Sequence, residues 1–209
     1  MPDHAELARR NRELAAHKHA RTPRENMRGL LLRLIARLPL PTRRSDGQTI
    51  LLIRPDHLGD MLLTAPAILA LARARPEARL MALVGPWSAG VISAYPEVEM
   101  TLTLPFPGFA RHPNRPSAQP YWLAWRWARQ LRQLRADSAI IFRPDHWWGA
   151  LLAWLAGIPH RVGFDLPDTA PFLNQAIPFE PGHAVAHNMA LVRPWTGPIP
   201  LSEVRGHYP

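Results

Sequence analysis

The chain contains no cysteine among its 209 residues, which excludes disulfide bonds, cysteine-ligated zinc and thiol catalysis. It also has no long apolar run: the longest, Gly149–Ile158, is far shorter than the roughly 20 residues that cross a bilayer. The first 25 residues lack the apolar segment of a signal peptide. The histidines show no spacing typical of metal ligands. We therefore expect a cytoplasmic protein that needs neither a metal ion nor a cofactor.

Basic residues are scarce on most of the chain and are concentrated near its N-terminus. Residues 1–48 contain eleven Arg or Lys and five Asp or Glu, so they carry +6 of the formal net charge of +9. A nucleic-acid-binding domain is expected to carry its basic residues on the folded body. Because the remaining residues carry little net charge, we expect no nucleic-acid partner.

The N-terminal segment contains one amphipathic pattern, over residues 24–38. Leu31, Leu34, Ile35 and Leu38 follow the i, i+3, i+4, i+7 spacing of one helix face, and arginines occupy the other faces. Two interpretations of this basic helix remain open. It packs on the rest of the protein, or it lies on an anionic membrane surface as a peripheral contact.

Strand and helix patterns alternate over residues 49–193, after the basic helical extension and linker of residues 1–48. The run Thr49–Arg54 is apolar almost throughout, as in a strand buried on both faces of a parallel sheet. The alternation predicts an α/β fold with a Rossmann-like, doubly wound parallel sheet. Residues 194–209 are rich in proline and are interpreted as a tail or as the start of a linker to a further domain that the chain lacks. The predicted strands are 49–54, 79–84, 99–104, 138–143 and 161–164, and the predicted helices are 58–75, 88–95, 121–134, 147–156 and 184–193.

The turn after the first strand, Arg54–Asp60 (RPDHLGD), has too little glycine for a dinucleotide site. It contains one glycine, so the G-x-G-x-x-G fingerprint is absent, and no Walker A motif occurs in the chain. The turn instead places ionisable side chains at the carboxyl end of a central strand, where ligands bind in open parallel sheets. Asp60 has two open interpretations: a general base that faces the cleft, or a carboxylate that interacts with the dipole of the helix N-terminus.

The tetrapeptide Arg-Pro-Asp-His occurs twice, at Arg54–His57 and at Arg143–His146. The strands before the two copies are neighbours in the usual doubly wound order, so both copies are predicted to face one crevice. Arginine binds phosphate in a bidentate manner, which suits a polyhydroxylated or phosphorylated acceptor. The alternative interpretation is that Asp56 and Asp145 are N-caps of the helices that follow.

Tryptophan is concentrated in two stretches. We interpret Tyr121–Trp127 as helix packing rather than as a platform for a sugar ring. Trp147 and Trp148 border the predicted crevice and are the better platform candidates.

Three stretches of the chain resemble glycosyltransferase family 9, the ADP-heptose:lipopolysaccharide heptosyltransferases. Residues 50–85 resemble the opening strand of the family, its L-G-D turn, and the helix T-x-P-A-h-x-A-L, where h is apolar. Residues 150–165 resemble the segment A-G-x-P-x-R-x-G-F-D, and residues 183–192 (HAVAHNMALV) resemble the region near the domain junction. Together the resemblance covers about residues 50–192.

The resemblance implies a GT-B fold, in which two Rossmann-like domains enclose the active site, and this chain would provide the N-terminal half. It implies an inverting, metal-independent transfer in which Asp60, the aspartate of the L-G-D turn, deprotonates the acceptor hydroxyl. We expect the nucleotide-sugar donor to be bound by a missing C-terminal domain, the acceptor to be a glycolipid or glycan, and this fragment to be inactive alone. From their positions, the candidate acceptor-binding residues are Arg54, Asp56, His57, Arg143, His146 and Arg161.

Two other classes of function remain open. The first is a non-catalytic module that binds a sugar or a lipid head group. The second is an unrelated doubly wound protein with a small-molecule site, although the missing glycine fingerprint argues against a nicotinamide enzyme.

Overall fold

The computed structural model describes residues 22–40, 42, 47–109 and 119–204. Four predicted parts lie wholly or partly outside these residues: the start of the N-terminal extension, most of the linker, the long loop after the third strand, and the end of the tail. The chain divides into two compact units, Met1–Leu38 and Pro39–Pro209.

The first unit contains helix α1, Pro23–Ala36, which confirms the helix predicted from the apolar spacing. A capping box starts this helix. Thr22 Oγ1 accepts a hydrogen bond from the Glu25 N–H at 3.3 Å, and the Glu25 carboxylate accepts one from the Thr22 N–H at 2.8 Å. Pro23 sits in the first turn, where its missing N–H has no partner to lose.

The second unit is built on one sheet with the strand order β3-β2-β1-β4-β5-β6, in which every neighbouring pair is parallel. The strands are β1 (Thr49–Arg54), β2 (Arg79–Val84), β3 (Val98–Thr103), β4 (Ser138–Ile141), β5 (His160–Phe164) and β6 (Gln175–Ile177). The helices are α2 (Leu58–Leu62), α3 (Ala65–Ala74), α4 (Ala89–Ile92), α5 (Gln119–Leu131), α6 (Trp147–Leu155) and α7 (Ala184–Thr196). Short 3-10 turns span Arg132–Leu134, Ala170–Phe172 and Leu201–Glu203.

The strand order fixes where a ligand site can form. From β1 the chain proceeds outward through β2 and β3 on one side, and through β4, β5 and β6 on the other. The direction therefore reverses between β1 and β4, and the loops after these two strands leave a crevice between them. This order confirms the predicted doubly wound sheet.

Strand β1 is buried along its whole length, which explains its apolar sequence. Ile50 and Leu52 belong to the core that also contains Ile68 of α3 and Leu191 of α7. The alternate residue Ile53 is equally buried and points to the opposite face of the sheet. The second unit thus has apolar side chains on both sides of its central strand.

Several observed elements differ from the prediction, and the predicted helix 88–95, for example, is only Ala89–Ile92. The predicted helix 58–75 is broken into α2 and α3, because Pro66 has no N–H to donate and its ring would clash with a carbonyl one turn earlier. Strand β4 ends at Ile141 rather than at Arg143. Strand β6 was not predicted, since three residues are too few to show a periodic pattern.

Candidate functional site

A cavity of about 220 Å³ opens at the carboxyl ends of β1 and β4. Its walls come from the loops after these strands and from the start of α7, as expected for the switch point of the sheet. Its lining residues are Arg54, Asp56, Asp60, Phe142, Arg143, Pro144, Asp145, Ala184, His187 and Asn188.

Arg54 is the last residue of β1, and its guanidinium group is held on every side. Nε lies 2.9 Å from Asp56 Oδ2, and NH2 lies 3.6 Å from Asp60 Oδ1. NH1 donates to the Phe142 carbonyl at 2.9 Å and to Asn188 Oδ1 at 3.4 Å. Burial lowers the pKa of Arg54 below the ordinary arginine value, although the charges of Asp56 and Asp60 act in the opposite direction. The guanidinium is therefore a fixed, buried positive charge beneath the cavity.

Arg143 comes from the loop after β4 and reaches across to the first loop. Its NH1 donates to Asp56 Oδ1, and its Nε donates to Asp145 Oδ1 at 2.6 Å. Its guanidinium carbon also lies 5.1 Å from the centre of the Phe109 ring, within the range of a cation–π contact. Burial lowers the pKa of Arg143, but the hydrogen bonds to Asp145 and Asp56 outweigh it and raise the pKa above the ordinary value.

Asp56 joins the two arginines. Its side chain is only 4% exposed and forms ion pairs with Arg54 and with Arg143. Its backbone carbonyl accepts hydrogen bonds from Trp87 Nε1 at 2.7 Å and from Ser88 Oγ at 2.8 Å. Because a buried carboxylate is stable only when it is paired, this residue makes the two loops depend on each other.

The alternative interpretation of Asp56 and Asp145 as N-caps is wrong. Helix α2 has His57 at its N-cap, and α6 has His146, and neither helix receives a side-chain capping bond. Both aspartates instead bind Arg143.

Asp60 lies in the first turn of α2 at the rim of the cavity. Its side chain is 48% exposed, and one carboxylate oxygen is 3.6 Å from the buried guanidinium of Arg54. Its backbone carbonyl accepts a hydrogen bond from Thr64 Oγ1 at 2.8 Å. This carboxylate is open to solvent on one side and oriented by a fixed cation on the other, so it can take a proton from a bound hydroxyl group.

The two histidines of the repeated tetrapeptide do not converge on the cavity, which corrects the expectation that all three ionisable types would meet there. His57 is exposed, and its ring centre lies 5.3 Å from that of Trp87. His146 is buried 5.2 Å from Phe106 and 6.3 Å from Trp148, between ring centres. In the described part of the chain neither of its ring nitrogens has a hydrogen-bond partner. Burial, assisted by the nearby charge of Arg143, lowers the pKa of His146 to about 3.

Arg161 is also outside the cavity. This residue of β5 donates from Nε to the Phe172 carbonyl at 2.6 Å and from NH1 to the Ile158 carbonyl. Its backbone N–H donates to Asn174 Oδ1 at 2.7 Å. Partial burial lowers its pKa. The guanidinium thus holds the connection between β5 and β6 together, and its hydrogen bonds go to the backbone.

The two tryptophans proposed as platforms do not line the cavity either. Trp148 is buried, and its Nε1 donates to the Pro120 carbonyl at 2.8 Å. Trp147 lies 5.9 Å from the ring of Tyr121. Both tryptophans therefore join α6 to the start of α5.

Asn188 of α7 is a site residue that the sequence did not reveal. It is buried, accepts from Arg54, and donates from Nδ2 to the Leu63 carbonyl at 2.8 Å and to Thr64 Oγ1 at 3.3 Å. It therefore connects α7 to Arg54 and to the break between α2 and α3. The available signal was a single amide side chain in the otherwise apolar stretch Asn188–Val192.

The charges around the cavity are nearly balanced. Two guanidinium groups face three carboxylates, which leaves a formal charge of one negative unit among the five. Both guanidiniums already bind carboxylates, so an added anion would have to displace one of them. Hydroxyl groups, which both donate and accept, fit these surroundings better than a phosphate does.

Sequence comparison finds a related enzyme over part of the chain. Over 115 residues it is 28% identical to lipopolysaccharide heptosyltransferase 2 of Escherichia coli (strain K12), and the match covers 55% of this chain and 30% of that protein. No protein-family model matches the chain.

Solved structures share the fold. The crystal structure of the glycosyl transferase family 9 from Veillonella parvula DSM 2008 has a TM-score of 0.61 and 18% identity, over 79% of this chain and 45% of that one. E. coli heptosyltransferase WaaC with ADP-2-deoxy-2-fluoro heptose has a TM-score of 0.60 and 18% identity, over 75% and 51%. The chain is similar to the family 9 heptosyltransferases. The matched region spans about half the length of these solved structures and less than a third of the curated relative.

In the part of the chain that the structure describes, no helix has the length and apolar character needed to cross a bilayer. No group of three or more potential metal ligands lies close together there.

Proposed function

We propose that this chain is the acceptor-side half of a glycosyltransferase that transfers a heptose from ADP-heptose to a lipopolysaccharide-type glycan of the cell envelope, with inversion and without a metal ion. The observation that carries the proposal is the placement of Asp60. It is a half-exposed carboxylate at the switch point of the sheet, within the L-G-D turn that resembles the family. The similarity to lipopolysaccharide heptosyltransferase 2 supports the choice of substrate class.

In the proposed reaction the Asp60 carboxylate accepts the proton of an acceptor hydroxyl. The hydroxyl oxygen attacks the anomeric carbon of the donor sugar from the face opposite the nucleotide. A new carbon–oxygen bond forms as the bond to the ADP phosphate breaks, and ADP leaves with the bonding electrons. Asp60 then releases its proton to solvent through its exposed side.

Arg54 and Asp56 position this base rather than react. Arg54 lies beneath Asp60, and its NH1 donates to the Phe142 carbonyl and to Asn188, so it has little freedom to turn away. Asp56 balances the charge of Arg54 from below. A base held by groups that are themselves packed and bonded loses less freedom when the acceptor binds.

The acceptor groups that enter this cavity are proposed to be sugar hydroxyls. Asp60 would accept a hydrogen bond from a bound hydroxyl group at the rim, and Arg143, which also lines the cavity, would donate one. The side chain of Asp145 is 66% exposed and reaches solvent freely. The nucleotide part of the donor would be bound by a second Rossmann-like domain, as in GT-B enzymes, and its phosphates would not depend on these residues.

The test is transfer by the complete enzyme carrying Asp60→Asn or Asp60→Ala. Transfer of labelled heptose from ADP-heptose to a heptose-deficient lipopolysaccharide is expected to fall by about a hundredfold to ten-thousandfold. Asp145→Asn is the matched control, since it removes an exposed carboxylate from the same rim and is expected to leave most of the rate.

Circular dichroism and thermal unfolding of both variants separate loss of chemistry from loss of folding. If Asp60→Asn is folded and keeps more than a few per cent of the rate, Asp60 is not the base. If Asp145→Asn loses as much as Asp60→Asn, the base assignment loses its specificity.

A second candidate is a module that binds a sugar without transferring it. The balanced charge of the cavity favours this candidate as well, because a neutral polyhydroxylated ligand needs no donor domain to bind there. Isothermal titration of the chain with heptose-containing oligosaccharide distinguishes the two. Binding that Asp60→Asn leaves unchanged, together with no transfer by any longer form, supports the module.

We also propose that α1 contacts the inner membrane face from the cytoplasm, through residues 24–38. Leu31, Leu34 and Leu38 are exposed along this segment, which also carries four arginines. An exposed apolar stripe with basic flanks is typical of helices that lie in the interface of an anionic bilayer. Flotation with anionic vesicles at low salt, compared for wild type and Leu31→Gln with Leu34→Gln, tests this contact.

A further inference from the structure

One face of α5 presents tryptophan and arginine side chains to solvent. Trp122 and Trp125 are 55% and 51% exposed, and Arg126 and Arg129 are exposed beside them. The spacing of these four residues puts them on a single side of the helix. The opposite side, with Ala124, Ala128 and Leu131, is buried. The helix is therefore amphipathic, but its outer face is aromatic and basic rather than simply polar.

The arginines of this face are stacked on its tryptophans. The guanidinium carbon of Arg126 lies 5.6 Å from the Trp122 ring centre, and that of Arg129 lies 5.0 Å from the Trp125 ring centre. In the described part of the chain neither arginine forms an ion pair with a carboxylate. Their hydrogen-bond donors are thus available to an external anion, while the rings keep them in place.

The charge on this face has one sign. Residues 119–135 contain four arginines and no aspartate or glutamate. A groove of about 460 Å³ runs along the face. Its lining residues are Trp125, Arg126, Arg129, Gln130, Arg132 and Gln133.

We propose that this face of α5 binds the surface of an anionic lipid bilayer. Arginine donates to lipid phosphates, and tryptophan is enriched at the level of the head groups, where one end of the ring is apolar and the other is wet. Anionic leaflets attract clusters of basic residues. Single-stranded nucleic acid is disfavoured as the occupant, because bases stack on open aromatic faces and these rings are already covered by arginine. We expect this contact to form without α1 and without the transfer reaction.

Helix α5 packs against α6, which follows a loop that lines the cavity. Pro120 at its start accepts from Trp148 of α6, and Tyr121 lies against Trp147. Helix α6 begins directly after the second copy of the repeated tetrapeptide, whose arginine lines the cavity. A bilayer bound by α5 would therefore lie near the loop that forms one wall of the cavity, where an acceptor anchored in lipid can reach it.

The test is co-flotation of the full 209-residue chain with vesicles of equal parts phosphatidylglycerol and phosphatidylcholine. Arg126→Gln with Arg129→Gln is expected to lower the partition coefficient about tenfold or more, since each basic residue near the surface adds about fivefold. The matched control is Arg73→Gln with Arg193→Gln, which removes the same charge from exposed positions on α3 and α7. This control is expected to change binding much less.

Two further measurements locate the contact. Brominated lipids are expected to quench the tryptophan fluorescence of wild type, and Trp122→Ala with Trp125→Ala is expected to remove most of that quenching. The double leucine variant of α1 is compared in the same assay, so that loss of the α1 contact and loss of the α5 contact are measured separately.

Three outcomes overturn the proposal for variants whose circular dichroism matches wild type. The first is equal loss in the α5 and control variants. The second is vesicle binding that depends on α1 alone. The third is binding of single-stranded RNA that the α5 substitutions abolish while vesicle binding remains.

Discussion

The same four residues, Arg-Pro-Asp-His, have opposite environments in their two occurrences. In Arg54–His57 the arginine and the aspartate are buried and the histidine is exposed. In Arg143–His146 the arginine is partly exposed, the aspartate is exposed and the histidine is buried. The sequence of a loop therefore does not determine which of its side chains forms the site.

The difference arises from where each strand ends. Strand β1 continues to Arg54, so this arginine still lies in the sheet, where it pairs with Val84 of β2. Strand β4 ends at Ile141, so Arg143 belongs to the loop and reaches the same carboxylate from outside. Strand β1 thus ends at its arginine, whereas β4 ends two residues before its own, and this difference accompanies the change from a buried arginine to a bridging one.

The aspartates give the sharpest test of this comparison. Asp56→Ala leaves two guanidiniums without their shared carboxylate, one of them buried, and is expected to lower the free energy of unfolding by about 3 to 5 kcal/mol. Asp145→Ala removes an exposed partner of Arg143 and is expected to lower it by less than about 1 kcal/mol. Urea denaturation followed by tryptophan fluorescence measures both values. Equal losses in the two variants would show that the difference in burial between Asp56 and Asp145 does not affect stability.

The glycines that follow the two copies of the tetrapeptide, Gly59 and Gly149, also differ in how closely they are packed. An added Cβ at Gly149 would overlap the His146 ring, coming within 2.8 Å of Cε1 and closer still to Nδ1. Gly149→Ala is therefore expected to lower the free energy of unfolding by about 1 to 3 kcal/mol.

At Gly59 an added Cβ would have no neighbour within 4 Å. Gly59→Ala is expected to be neutral or stabilising by up to about 1 kcal/mol, since α2 is helical there. Thermal unfolding of both variants measures these effects. A lower melting temperature for Gly59→Ala than for Gly149→Ala would contradict this expectation.

The buried histidine of the second copy, His146, is expected to make the stability of the protein depend on pH. Because the pKa of His146 is about 3 in the folded protein against 6.5 for a free histidine, the unfolded chain binds a proton that the native chain does not. As far as His146 is concerned, the free energy of unfolding has its full value above pH 6.5. It falls as the pH is lowered toward 3, by up to about 1.4 kcal/mol per pH unit. His146→Phe is expected to remove this slope from the free energy of unfolding, which urea denaturation at several pH values measures.

His57→Phe is the matched variant for that measurement, because it makes the same replacement at the exposed histidine of the other copy. A His146→Phe variant with the wild-type slope would mean that the histidine is not buried in its neutral form in solution.

The architecture was predictable from sequence because the central strands β1 and β2 are apolar almost throughout. Thr49–Arg54 and Arg79–Val84 are observed at their predicted bounds, since burial on both faces leaves no other arrangement for such runs. The doubled tetrapeptide also identified the correct edge of the sheet. In contrast, nothing local distinguishes a histidine that packs against Phe106 from one that faces solvent.

The rest of the site depends on contacts between distant parts of the chain. Asn188 bonds to Arg54 across 134 positions of sequence, and only the packing of α7 on α3 brings the two together. Arg161 illustrates the converse, because this charged residue of β5 binds backbone carbonyl groups of the segments before and after its strand. Charge pattern alone identifies the side chains that could serve a site but not their partners.

The carboxylate of Asp56 also has a consequence for motion. Asp56 lies in the first loop and is paired at the same time with Arg54 of β1 and with Arg143 of the second loop, so moving either loop away breaks an ion pair of this buried carboxylate. The two loops should therefore open together or not at all, and the amide protons on both should exchange with deuterium at a common rate. Access to this edge of the sheet would then follow a single concerted opening, shared by loops that are almost ninety residues apart in the chain.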